Sequence, residues 1–222
     1  MEDRHISLPE QKNFEQAYQL SYQLACEKLS GISDIAEQCR KSGTQFQIVA
    51  GKKTVIIKYL NQPFTLSVPD GEITPMSDAA DPLTPRDKLI MLHYFITAKG
   101  SPLTGKLLTF RELPEGIVYQ PTFAKRTIQP LLDNFGKEPD TLLLFSQSLG
   151  GYKADYGDTA ITISAFSRVP VTFVVWQGDD EFPSRGNVLF DASITDYLPT
   201  EDITVLCEII AWKLVRLSRS AG

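Results

Sequence analysis

Residues 45–71 read QFQIVAGKKTVIIKYLNQPFTLSVPDG, and the fold class turns on them. Residues 45–50 and 54–60 read as two strands joined by Gly51-Lys52, a dipeptide that suits a hairpin turn. Residues 64–68 add a third strand, closed by Pro69-Asp70-Gly71, where proline, aspartate and glycine supply turn chemistry. Short strands in succession joined by tight turns pair antiparallel, so this stretch predicts a sheet built from hairpins.

Helical periodicity flanks the hairpins. Upstream, Phe14, Tyr18, Tyr22, Ala25 and Leu29 recur in steps of four and three, one stripe of a 3.6-residue period. Gly31 breaks that helix, Ser33 can cap a second through Ile35, Ala36 and Cys39, and Gly43 stops it. Downstream, residues 73–85 carry several Asp, Pro and Ser residues and read as a long surface loop or internal linker. Thr84-Pro85 is a helix start, with threonine at the cap and proline in the first turn; the helix runs through Leu89, Leu92, His93, Phe95 and Ile96 to Gly100. Residues 106–110 form a short strand. Thr122 or a neighbour caps a helix ending at Phe135-Gly136, with Pro130 as a kink or internal start, and Asp140 opens another that ends at Gly150-Gly151. Residues 159–166 and 171–176 are further strands.

Thr200 caps the last helix. Glu201 and Asp202 occupy its first turn and Lys213, Arg216 and Arg219 lie toward its end, as the helix dipole prefers. Ile203, Leu206, Ile210, Leu214 and Leu217 make its core stripe. Val205, Ile209 and Trp212 make a second, so this helix is buried between layers or faces a partner. Strands clustered as hairpins, with helices at both ends and in the middle, lack regular βαβ alternation. The expectation is a single α+β domain over residues 1–222, an antiparallel or mixed sheet with helices packed on one or both faces.

A chain of 222 residues with 42% hydrophobic and 22% charged residues has an ordinary globular composition and the length to sustain one core. A net charge of −5 argues against nucleic acid as a partner, because such a binder needs a basic footprint to release counterions, and against an anionic membrane surface. The opening Met1-Glu2-Asp3-Arg4-His5 lacks the basic start and apolar stretch of a secretory signal, and the apolar runs are too short to span a bilayer; a cytoplasmic location is expected. Cys26, Cys39 and Cys207 are far apart with no CxxC pair. No zinc ribbon or iron–sulfur cluster is expected, and the thiols read as reduced and packed in or near the core.

Four places could carry chemistry. Gly100-Ser101-Pro102-Leu103-Thr104-Gly105-Lys106 matches the first seven positions of a phosphate-binding P-loop, but Leu107 stands where Ser or Thr should hold magnesium, and the segment follows a helix instead of a strand. His93 could ligate a metal or lie under a tetrapyrrole; with no second histidine at a ligand spacing, the plainer reading is a hydrogen-bonded histidine at the edge of the core. Arg111 beside Glu112 could make a carboxylate-recognising fork, or an ion pair that organises a loop. The acidic run Asp179-Asp180-Glu181, with Asp191 soon after, could supply hard oxygen ligands to calcium or magnesium, or make a solvated or capping turn. No nucleophile stands out: there is no G-x-S-x-G elbow and no H-E-x-x-H.

Two blocks carry a family resemblance. One is Leu92-His93-Tyr94 through Ala98-Lys99-Gly100-Ser101-Pro102-Leu103-Thr104-Gly105-Lys106, then Phe110-Arg111-Glu112-Leu113-Pro114. The other is Trp176-Gln177-Gly178-Asp179-Asp180-Glu181-Phe182-Pro183, followed by 187–191 and 197–202. The chain resembles the family called domain of unknown function 3786. The resemblance implies an accessory protein of anaerobic bacteria or archaea, and some members carry an added cysteine-rich iron–sulfur module or accompany corrinoid and methyl-transfer systems. This chain has no cysteine cluster, which separates it from the members with that module.

Both blocks lie beyond strand ends, where loops commonly carry function, and they are expected to line one shared cleft. The leading expectation is a non-catalytic ligand-binding or accessory domain, with a tetrapyrrole or corrinoid as ligand or a cofactor-dependent enzyme as partner. His93, Lys106, Arg111, Glu112, Asp180 and Glu181 are its binding residues. One alternative is a carboxylate- and divalent-metal-dependent enzyme using Asp179, Asp180, Glu181 and Asp191. Another is an interaction module, with the last helix forming a homodimer seam.

Overall fold

The computed structural model describes residues 9–49, 51–77 and 81–220, the stretch 9–16 by its backbone alone. The expected hairpins form. Strand β1 (Gln45–Val49) pairs with β2 (Lys52–Tyr59), Gln45 opposite Ile56; Ala50, the end of the first predicted strand, lies outside the described residues. β2 returns as β3 (Gln62–Val68) through Leu60 and Asn61, both left-handed at φ 46° and 66°, the twist that a two-residue hairpin loop needs. β4 (Ile73–Pro75) pairs back onto β3 and completes a four-stranded antiparallel sheet in chain order. It falls inside the segment read as loop or linker, because three residues are too few to display an alternation.

Strand pairing places Val55, Ile57, Phe64, Leu66 and Ile73 on one face, and all are buried. A second sheet holds β5 (Leu107–Thr109), β6 (Gly151–Ala154), β7 (Thr159–Phe166), β8 (Val169–Trp176) and β9 (Arg185–Asp191) in the antiparallel order β5-β9-β8-β7-β6. β7 and β8 are buried along almost their whole length, so layers cover both faces of this sheet's centre. The two sheets meet where Leu60 N–H donates to the Ala165 carbonyl at 3.0 Å. Stacked rings reinforce that seam. Tyr59 of β2, Phe166 of β7 and Tyr94 lie in sequence at centroid separations of 5.0 and 4.1 Å, and Tyr197 follows Tyr94 at 6.0 Å.

Helices α1 (Pro9–Ser30), α2 (Ile35–Ser42) and α3 (Pro85–Thr97) start near the predicted positions. α1 buries Ala25 and Leu29; the Phe14 side chain lies outside the described residues. α2 is capped by Asp34, whose Oδ1 accepts Glu37 N–H at 2.8 Å, and not by Ser33. Thr84 caps α3 in a full capping box with Asp87. α3 is apolar almost all round, burying Leu89, Ile90, Met91, Leu92, Tyr94 and Phe95.

The helix predicted from Thr122 starts earlier. α4 (Gly116–Phe123) contains Thr122, then passes through a π turn at Ala124–Ile128 into α5 (Gln129–Phe135). Gln129 N–H reaches back to the Ala124 carbonyl, the wider spacing that lets helical backbone continue into Pro130, which has no N–H to give. α6 (Thr141–Ser146) and a short 3₁₀ turn end at left-handed Gly150, and α7 (Thr200–Ser220) closes the described chain. Thr200 Oγ1 donates to the Pro114 carbonyl at 2.8 Å and so ties the start of α7 to the loop before α4.

α7 buries Ile203, Leu206, Cys207, Ile210, Ala211, Leu214 and Val215. Burial pushes up the thiols of Cys26, Cys39 and Cys207, which suits packed and unreactive sulfur. Among the described residues no helix is long and apolar enough to cross a membrane.

Candidate functional site

β8 is an apolar strand that runs out at Trp176, whose indole is 40% exposed. The acidic run follows at once, and hydrogen bonds fix it in place. Gln177 N–H donates to Asp158 Oδ2 at 2.8 Å, and its side chain donates to the Lys137 carbonyl at 2.8 Å. Gly178 N–H reaches the Gly136 carbonyl at 3.2 Å, and Asp179 N–H reaches the Phe182 carbonyl at 2.9 Å. Asp179 Oδ1 accepts from the N–H groups of Glu181 and Phe182 at 2.9 and 2.7 Å. This last pair is an Asx turn, so Asp179 spends an oxygen on its own loop. Close approach also demands Gly178, where an added Cβ would lie 2.6 Å from Ser184 N.

The pinned turn holds Phe182 out at 59% exposure. Trp176, Phe182 and Pro183 are the apolar wall of a concavity of about 640 Å³, and Asp158, Asp179, Arg185 and Asn187 are polar groups on its lining. Trp176 and Arg185 stand directly opposite on β8 and β9. Asp180 and Glu181 are exposed on the same turn.

The loop block ends elsewhere. Leu107 faces Asp191 and Thr109 faces Leu189, so residues 100–106 meet the C-terminal end of β9 while the acidic turn precedes its N-terminal end. Six residue steps at about 3.4 Å separate those ends by roughly 20 Å. The expected single cleft is therefore corrected: none of Lys106, Arg111 and Glu112 lines the concavity under Trp176.

Asp191 is corrected with them. It is 5% exposed and faces inward. Its oxygens accept from Thr104 N–H, Thr104 Oγ1, Gly105 N–H, Ser193 N–H and Ser193 Oγ, at 2.7 to 3.1 Å. Burial would raise its pKa, but bonds from Ser193, Thr104 and Gly105 outweigh that and hold the carboxyl at about 2. The backbone N–H groups that resembled a phosphate cradle are thus filled by the protein's own carboxylate. Asp191 cannot join Asp179, Asp180 and Glu181 around a cation. Among the described residues no group of three or more His, Cys, Asp or Glu side chains is arranged to hold a metal ion.

Glu112 accepts from Thr109 N–H at 2.7 Å and Thr109 Oγ1 at 2.8 Å. It closes the 3₁₀ turn Phe110–Glu112, and those bonds lower its pKa. Arg111 is exposed and forms no ion pair with it among the described residues. Lys106 is likewise exposed. His93 Nδ1 lies 2.8 Å from Asp202 Oδ2 and links α3 to the first turn of α7, at the edge of the core.

Residue density in the sequence pointed to the acidic turn but not to Trp176, Phe182, Asp158, Arg185 and Asn187, which shape the concavity. The available signal was an aromatic closing a wholly apolar strand immediately before a Gly-Asp turn. No curated protein and no solved structure matches the chain. Residues 34–212 match the family model described as Domain of unknown function (DUF3786), and the chain belongs to that family.

Proposed function

We propose that the chain is a non-catalytic ligand-binding or accessory domain of an anaerobic cytoplasm, working beside cofactor-dependent enzymes, with its ligand under Trp176 and Phe182. The observation that carries this reading is preorganisation: two large aromatic side chains stand out of the core at the start and on the crest of a turn that is hydrogen-bonded to two other parts of the chain, Gly136-Lys137 and Asp158. Exposing an aromatic side chain forgoes roughly 1.5–3 kcal/mol of burial, and a ligand that covers it recovers that term. A turn already rigid loses little entropy on binding. A concavity of about 640 Å³ is of small-ligand size. Arg185 offers a fork to a carboxylate beside the apolar wall. A flat, largely apolar molecule with carboxylates at its rim suits these groups, and a tetrapyrrole or corrinoid is the proposed class.

The test is a titration with haem and with cobalamin, read by absorbance and calorimetry. Saturable binding tighter than about 100 μM, or about 5.5 kcal/mol, is expected. Trp176→Ala with Phe182→Ala should weaken it at least about tenfold while the melting temperature moves by only a few degrees. No binding at that concentration removes the tetrapyrrole class, and binding indifferent to both substitutions removes the cleft.

A second reading, an interaction module with α7 as the seam of a homodimer, rests on Trp212, which is half-exposed beside Ile209. Light scattering that gives a monomer across a wide concentration range removes it.

A further inference from the structure

The chain carries a net charge of −5, yet four cationic side chains, Arg86, Arg126, Lys213 and Arg216, gather where α7 passes the start of α3. Glu208 answers two of them. It receives both arms of Arg86 at 3.1 and 2.8 Å, and lies 4.0 Å from Arg126. Lys213 and Arg216 share a single carboxylate, Asp81, at 3.0 and 2.9 Å. Among the described residues, Asp81 is the one carboxylate that bonds either cation, so two cations divide one anion there. The partners are also unequal. The Lys213 side chain is only 16% exposed, whereas Asp81 is 58% exposed and belongs to a stretch without regular structure.

That stretch, residues 81–84, is a partition. Asp81 and Leu83 line a small cavity of about 130 Å³ whose other walls include Gln62, Ser148 and Leu217. Pro82 and Thr84 line an open groove of about 340 Å³ that includes Ile209 and Trp212. Lys213 and Arg216 line both spaces. The two cations therefore line both spaces, and the Asp81 carboxylate bonds them from the side of the smaller cavity.

We propose that Lys213 and Arg216 form an anion site for the acid group of a small organic carboxylate or phosphate, and that Asp81 is an internal competitor holding the site until ligand arrives. A guanidinium presents paired donors matched to two oxygens of a carboxylate or phosphate, and the ammonium adds a compact charge. The apolar body of the ligand then lies along Ile209 and Trp212 in the groove. This site is distinct from the cleft under Trp176 and shares no lining residue with it.

The experiment is calorimetric titration of the whole chain at low ionic strength with inorganic phosphate and, separately, with benzoate. Wild type should bind weakly. Asp81→Asn should bind roughly fivefold tighter, the scale on which a half-exposed ion pair competes. Adding Arg216→Gln to that variant should abolish the gain; Arg216 is exposed, so the fold should survive, and an unchanged melting temperature checks this. A stronger response to phosphate assigns the site to phosphate esters, and a stronger response to benzoate assigns it to carboxylates. Failure of Asp81→Asn to bind either anion, an affinity equal to wild type, or a gain that persists with Arg216→Gln each overturns the proposal.

Discussion

Replacing Asp191 with asparagine separates a loop organiser from a metal ligand. The carboxylate is 5% exposed and collects donors from Thr104, Gly105 and Ser193. Its pKa lies at about 2 against an ordinary 3.8, which corresponds to roughly 2 kcal/mol of stability. A second route gives a similar figure. In asparagine one oxygen becomes an NH₂, which turns a donor toward N–H groups that had an acceptor, at roughly 1–3 kcal/mol. Both routes describe the same loss, so about 2–3 kcal/mol is expected at pH 7. The sign follows from linkage. The folded pKa is depressed, so the stabilisation is fully present above the unfolded value near 4 and disappears as pH falls toward 2. About half of the electrostatic part should be gone by pH 3. Urea unfolding of both proteins at pH 7, 5, 4 and 3 reads this as a shift in midpoint at constant slope. A loss under about 0.5 kcal/mol at pH 7, or a gap that stays constant down to pH 3, would refute the assignment. So would wild-type stability that rises with millimolar calcium or magnesium and loses that rise in the variant.

Two further substitutions probe the turn and the core. Gly178→Ala places a methyl 2.6 Å from Ser184 N and should destabilise by about 1–3 kcal/mol while weakening binding in the Trp176 cleft; urea unfolding and titration check both. Gln38 Nε2 donates to the Phe95, Ile96 and Ala98 carbonyls at 2.6, 3.2 and 3.1 Å, which are end groups of α3 that the helix itself cannot satisfy. Gln38→Ala should therefore cost about 1–3 kcal/mol and speed hydrogen exchange in the last turn of α3.

The fold was legible where local chemistry sufficed. The Thr84-Pro85 start, the stop at Gly43 and the hairpin across Gly51 each depend on a few consecutive residues, and each formed. Misreadings occurred where the deciding partner is remote or the element short. β9 carries Arg185, Gly186 and Asn187, so its apolar half alone was too brief to announce a strand. β5 formed where a strand was expected, but its partner lies about 80 residues away, which no turn signal can foretell. Pro130, read as a kink or an internal start, does stand in the first turn of α5; what the sequence hid is the preceding π turn, which joins α4 to α5.

The same distance rule explains why polar density misled. Asp191 and Thr104 are 87 positions apart, and His93 and Asp202 are 109 apart. Folding hands each of these groups a partner that the linear sequence hides, so a carboxylate or histidine that looks available as a ligand is already engaged. Apolar groups obey the opposite logic. Burial is the default for an indole or a phenyl in a chain with a core of this size, and the fold had β7, β8 and α7 available to provide it. Trp176 and Phe182 remain outside because the hydrogen bonds of residues 177–182 hold them there, at a standing cost in hydrophobic free energy. Lys213 and Arg216 are the charged counterpart, two cations that share one exposed carboxylate among the described residues. Function is best sought where folding leaves an interaction incomplete, and by that criterion the Trp176 cleft and the Lys213–Arg216 pair outrank every carboxylate cluster visible in the sequence.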